Sequence, residues 1–183
     1  NILEPVHLLW INLITDTFPA LALGMEKAEA DIMKRKPREA NEGVFSNGLG
    51  FDVAYQGILI SALVIISYGF GHMFETGTFG FGGSAHGTTM AFLTLSMAEI
   101  FHSFNLRSRE KSLLQVKGMN KMLNIAAIVS LALTTAVCEI PFLASAFDFT
   151  AVGSREYATA ALLGFCVIPV VEIVKLIRRQ KNK

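Results

Sequence analysis

The sequence predicts an all-α membrane protein, a bundle of five transmembrane helices with its amino terminus outside and its carboxy terminus in the cytoplasm. Three observations predict it. Of the 183 residues, 52% are hydrophobic and 17% charged, whereas soluble domains carry nearer a quarter charged residues. Five windows come close to the roughly 20 apolar residues that a helix needs to cross the hydrocarbon core. All but one of the 16 lysines and arginines follow the first, third or fifth window and so fall on one side of the membrane, as the positive-inside rule describes.

The windows are 6–25, 51–71, 88–106, 122–147 and 157–174, and Gly, Pro or charged residues punctuate the joins between them. Lys27, Lys34, Arg35, Lys36 and Arg38 follow the first window. Arg107, Arg109, Lys111, Lys117 and Lys121 follow the third. Lys175, Arg178, Arg179, Lys181 and Lys183 follow the fifth. The join at 72–87 has no basic residue and that at 148–156 has only Arg155. The alternation fits five crossings and fails for four or six. It makes 26–50 and 107–121 cytoplasmic loops. A bundle of buried soluble helices has no reason to sort charge in this way.

Three features are read plainly. The glycine-rich stretch 77–87 is a short external loop, because no strand precedes it and no Gly-Lys-Ser/Thr follows. Cys138 and Cys166 lie in separate apolar runs and count as small hydrophobic residues. The chain opens on Asn1 without a cleavable signal peptide and is expected to be a piece of a longer protein.

Charge inside a membrane is costly and usually marks a site. The windows hold Asp16, Asp52, Glu99, Glu139 and Glu172, and no Lys or Arg. Asp16 is the clearest candidate. Asn12 precedes it by one turn and Thr15 adjoins it, so helical spacing puts three oxygen-bearing side chains on one side. Pro19 follows, with no N–H and a ring that crowds the carbonyl of Thr15. The helix is expected to kink or unwind there, freeing carbonyls. Broken helices with oxygens at mid-membrane are how transporters build cation sites. Glu99 is the second candidate. Asp16 lies about ten residues into its window and Glu99 about twelve, a depth difference of a few ångströms at the rise of about 1.5 Å per residue. The two carboxylates are expected to meet. Glu99-x-x-His102 has the spacing of di-iron bundles, but no second such motif accompanies it. Glu139 and Glu172 are read as interfacial or locally paired, and Trp10 and the phenylalanines as packing residues.

Asn12, Thr15, Asp16 and Glu99 offer hard oxygens without sulfur or paired imidazoles, the chemistry of calcium. Calcium takes about 6–8 oxygens, so further ligands must come from water or from elsewhere. Manganese shares this oxygen chemistry, and a sodium or proton pump would share the architecture. The reading of a different class is a non-catalytic membrane module whose polar residues only join helices.

Glu4-Pro-Val-His-Leu-Leu-Trp-Ile-Asn-Leu-Ile-Thr-Asp-Thr-Phe-Pro-Ala-Leu-Ala-Leu-Gly, with Asp31-Ile-Met-Lys-Arg-Lys-Pro-Arg after it, resembles the sixth transmembrane helix and following cytoplasmic loop of P-type cation ATPases. The likeness is greatest to calcium pumps of the sarcoplasmic-reticulum type and their bacterial relatives. It continues more weakly through Ala98-Glu-Ile-Phe-His-Ser-Phe-Asn, like the eighth helix, and Val170-Val-Glu-Ile-Val-Lys, like the end of the tenth. The resemblance implies that 1–183 is the carboxy-terminal transmembrane domain, helices six to ten. It implies Asn12, Thr15 and Asp16 as ligands of transported calcium, with Asp16 shared between two sites, and Glu99 at the position of a glutamate ligand. It implies that 27–42 contacts the phosphorylation domain. Reticulum-type pumps have glycine after the aspartate where this chain has Thr17, so tighter unwinding is expected. No Asp-Lys-Thr-Gly-Thr and no nucleotide-binding domain is present. The expected enzyme is therefore the parent ATPase, with Mg-ATP bound outside this chain and no catalytic or cofactor-binding residue within it. The expected partners are the pump's other helices and cytoplasmic domains and the lipid bilayer, with no nucleic acid. The expected location is a bacterial plasma membrane, crossed several times.

Overall fold

Helix limits in this chain follow from local chemistry. The computed structural model describes residues 2–28, 32–34, 37, 41–46, 48–116 and 118–181. Half of the 27–42 stretch, which the resemblance implies contacts the phosphorylation domain, thus lies outside the described residues. Glu4 and Pro5 open the first span. Its parts are α1 (Pro5–Trp10), a π turn (Ile11–Asp16) and α2 (Thr17–Gly24). The second, α3 (Leu49–Thr76), is bounded by Gly48 and Gly77 at φ 78° and 83°, conformations that suit glycine. Ser84 caps α4 (Ala85–Asn105) by accepting the Gly87 N–H at 2.8 Å. Asn120 caps α5 (Lys121–Glu139) by accepting the Leu123 N–H at 2.9 Å.

Two expected spans are not single rods. The window 122–147 breaks at Ile140, which is extended (φ −78°, ψ 116°), and Pro141 begins the short α6 (Pro141–Ala146). The last window divides into α7 (Ser154–Phe165) and α8 (Val167–Lys181) around Cys166. Pro169 has no N–H to offer the Phe165 carbonyl, four residues back.

α4 is the centre of the bundle. It packs against α3, α5, α7, α8 and the π turn. Met90, Phe92, Leu93 and Ile100 are wholly buried on it. Small residues let neighbouring backbones approach. A Cβ on Gly71 of α3 would lie 2.6 Å from the Cα of Gly87, and one on Gly164 of α7 would lie 2.9 Å from the Cβ of Met97. The Thr94 hydroxyl donates to Ser67 at 2.6 Å, and Ser67 donates to the Met90 carbonyl at 3.1 Å.

Pro5–Gly24, Leu49–Thr76, Lys121–Glu139 and Ser154–Gln180 are long and apolar enough to cross a membrane. Their outward residues, Ile58, Ile128 and Leu162 among them, are exposed and apolar, as a lipid-facing surface requires. α4 is less apolar, for a physical reason. Its hydroxyls meet protein on all sides, so they need not be compatible with lipid. The chain is an all-helical membrane bundle, with no strand among the described residues.

Side-chain pairing marks its two ends. At one, Arg107 grips Glu26 at 2.9 Å and Arg109 reaches Asp52 at 2.8 Å, while Arg178 also pairs with Asp52. Arg107 foremost holds the Glu26 carboxyl below its ordinary range, and Glu26 in turn raises Arg107. Lys175 donates to the Asn105 carbonyl at 2.7 Å, and Glu172 accepts from Ser112 and Leu113 and faces Lys175 at 3.6 Å. At the other end His86 meets Glu156 at 2.5 Å and Ser84 donates to Glu75 at 2.5 Å. His7 accepts the Glu4 N–H on Nδ1 at 3.1 Å, so its Nε2 carries the proton given to the Phe147 carbonyl at 2.7 Å. The residues rich in Lys and Arg thus share one end.

Candidate cation site

The first span does not unwind at Pro19. It widens into the π turn, a device frequent at functional sites, and stays helical on both sides. Two hydroxyls reach back to carbonyls here. Thr15 donates to Ile11 O at 2.9 Å and Thr17 donates to Asn12 O at 2.7 Å. Thr17 therefore bridges the widened turn.

Widening also separates residues expected on one side. Thr15 is buried at 1% exposure, whereas Asn12 and Asp16 are exposed. A turn that closes on the fifth residue rather than the fourth advances less per residue. Thr15 therefore swings inward while Asn12 and Asp16, four apart, stay on the outer face. Glu99, half-buried on α4 where that helix packs on the π turn, lies beside Asp16 and Thr15. Two carboxyls at such close quarters repel when both are ionised, and a cation or a proton between them relieves the repulsion. Among the described residues, Glu99 Oε2 is buried without a hydrogen-bond partner, and so are Ser96 Oγ, His102 Nδ1 and Asn105 Oδ1 on the same helix. Such atoms are exceptions that call for a reason.

The other intramembrane acids stand elsewhere. Glu139 is exposed beside the break at Ile140, Glu172 is paired with Lys175, and Asp52 is held by two arginines. His102 Nε2 meets Gln56 at 3.2 Å. Among the described residues no three His, Cys, Asp or Glu side chains gather where they could hold a metal. Cys138 is a free, buried thiol and Cys166 a free, exposed one. Ser130, which sequence reasoning passed over, donates from α5 to the Ile14 carbonyl at 2.9 Å. A lone serine in an apolar run gives no sign of such a partner.

The family model for the C-terminus of cation-transporting ATPases matches residues 1–177. The chain belongs to this family. The match takes in every helix except the last residues of α8, and both sides of the π turn–α4 contact. Among this chain's relatives in the cation-transporting ATPase family is a Bacillus cereus protein named calcium-transporting ATPase 1. It is 37% identical, over 97% of this chain and 21% of its own length. A Bacillus subtilis calcium-transporting ATPase is 33% identical over 98% of this chain and 19% of its own length. Calcium-transporting ATPase 1 of Saccharomyces cerevisiae is 30% identical over 100% and 19%. The chain spans about a fifth of the length of these relatives. It is the multi-pass, carboxy-terminal membrane region of a P-type cation ATPase.

Proposed function

We propose that this chain is the transmembrane ion-binding part of an ATP-driven calcium pump, with Asn12, Thr15, Asp16 and Glu99 supplying oxygen to the transported ion. The observation that carries the proposal is the meeting of Glu99 with Asp16 and Thr15 beside a widened helical turn. The names of the relatives supply the choice of calcium. Asn12 and Asp16 face out of the bundle. Bare carboxylate and amide facing lipid are costly, so this face is the one that other helices of the pump cover, bringing the remaining ligands. In this reading the basic end is cytoplasmic, and 27–42, within the loop 26–50, contacts the phosphorylation domain. Mg-ATP binds to parts of the pump beyond this chain.

The test uses the full-length pump. Asp16→Asn is expected to abolish calcium activation of ATP hydrolysis while phosphorylation from inorganic phosphate survives. Glu99→Gln is expected to raise the calcium needed for activation. Wild-type calcium dependence in both variants would mean that these carboxylates only pack helices, and the proposal would be wrong.

A further inference from the structure

The π turn has a difficulty that its own backbone does not solve. Pro19 offers no N–H. In an α pattern the carbonyl left facing it is that of Thr15, and in a π pattern, shifted by one, that of Ile14. Ser130 meets the second case: its hydroxyl, wholly buried on α5, donates to Ile14 O at 2.9 Å. Thr17 provides the other brace. Its hydroxyl crosses five residues to Asn12 O at 2.7 Å, the same span as a π-helical hydrogen bond. Two carbonyls of the turn are thus held by hydroxyls that lie outside it. Thr15 spends its own proton on Ile11 O, which leaves its oxygen lone pairs for whatever lies beside Glu99.

We propose that Thr17 and Ser130 are positioning residues of the cation site. They touch no ion. They hold the turn in its wide form, so that Thr15 points inward and Asp16 stays against Glu99. The proposal rests on the reading of that site as the calcium site. Loss of either brace lets the turn relax toward an ordinary α-helix and rotates Thr15 away from Glu99, which weakens calcium binding more than it slows turnover.

The experiment is calcium titration of ATPase activity in the full-length pump, with thermal unfolding as a companion measurement. Thr17→Val and Ser130→Ala are each expected to raise the half-activating calcium concentration about fivefold, the equivalent of one hydrogen bond, at unchanged maximal rate. Thr17→Ser keeps the hydroxyl and is expected to match wild type. Thr159→Val removes a hydroxyl that bonds only Arg155 O of its own helix, α7, and is expected to change nothing. If both brace variants keep wild-type calcium dependence while Asp16→Asn abolishes activation, the braces are ordinary packing and this proposal fails with the site reading intact. If they lower only the maximal rate or the melting temperature, their role is stability and the proposal is overturned. If Asp16→Asn also leaves activation unchanged, the site reading fails and takes this one with it.

Discussion

Glu26 sits where the first span ends and the loop before α5 returns, so replacing it and Arg107 measures what closes the basic end. Arg107 donates to the Glu26 carboxylate from Nε at 3.1 Å and Nη2 at 2.9 Å, and Asn120 adds a third bond at 2.6 Å. The side chains are 9% and 20% exposed. Exposed ion pairs contribute about 0–1 kcal/mol, and hydrogen bonds to charged groups about 1.5–3 kcal/mol. A two-pronged, mostly covered pair lies between these, at about 1–2 kcal/mol, or a five- to thirtyfold change in the folded-to-unfolded ratio. A double-mutant cycle of Glu26→Ala and Arg107→Ala, followed by reversible unfolding of the pump in mixed micelles, reads this coupling. The pH dependence has a definite sign. Arg107 lowers the Glu26 carboxyl from its ordinary 4.5, so the folded state takes up this proton less readily than the unfolded one. The contribution is complete above that value and is lost as the pH falls through the folded-state value. The coupling should be flat around neutrality and shrink below 4.5. A coupling within about 0.3 kcal/mol of zero, or one that grows in acid, would refute the reasoning.

Two further outcomes test the packing. Gly71→Leu forces apart backbones already in contact and is expected to destabilise the bundle by about 1–3 kcal/mol or more, whereas Gly57→Ala on the same helix meets nothing within 4 Å and is expected to be neutral or stabilising; equal melting temperatures for the two would contradict the α3–α4 crossing. A membrane-permeant maleimide is expected to label Cys166, which is exposed, and to spare Cys138, which is wholly buried, and mass spectrometry of the labelled pump distinguishes them.

The helices were legible because apolar runs end at residues with their own chemistry, such as Gly48, Gly77, Ser84 and Asn120. Their ends ran past the hydrophobic windows wherever helix formers continued, as α3 does through Glu75 to Thr76. The breaks at Ile140 and Cys166 follow from Pro141 and Pro169, which a hydropathy window does not weigh. The proximity of Asp16 and Glu99 could be read from depth alone. The burial of Thr15 between an exposed Asn12 and an exposed Asp16 could not, because α-helical spacing presupposes the α-helix and the π turn changes the angle per residue. Ser130 was hidden for another reason: its partner is a main-chain carbonyl 116 positions away, and every residue offers such a carbonyl.

The low hydropathy of α4 bears on how the protein is made. A nascent helix enters the bilayer by partitioning from the translocation channel, and α4, with its threonines, serines and Glu99, has little to gain from lipid alone. Its polar side chains that reach other helices find partners on α3, synthesised before it, and on α7 and α8, synthesised after it. The Gly71–Gly87 crossing and the Ser67–Thr94 bond let α3 chaperone it inward as a hairpin, while α5, α7 and α8 are still on the ribosome. The helix that carries Glu99 is therefore also the one whose insertion depends most on its companions, and assembly defects should concentrate there.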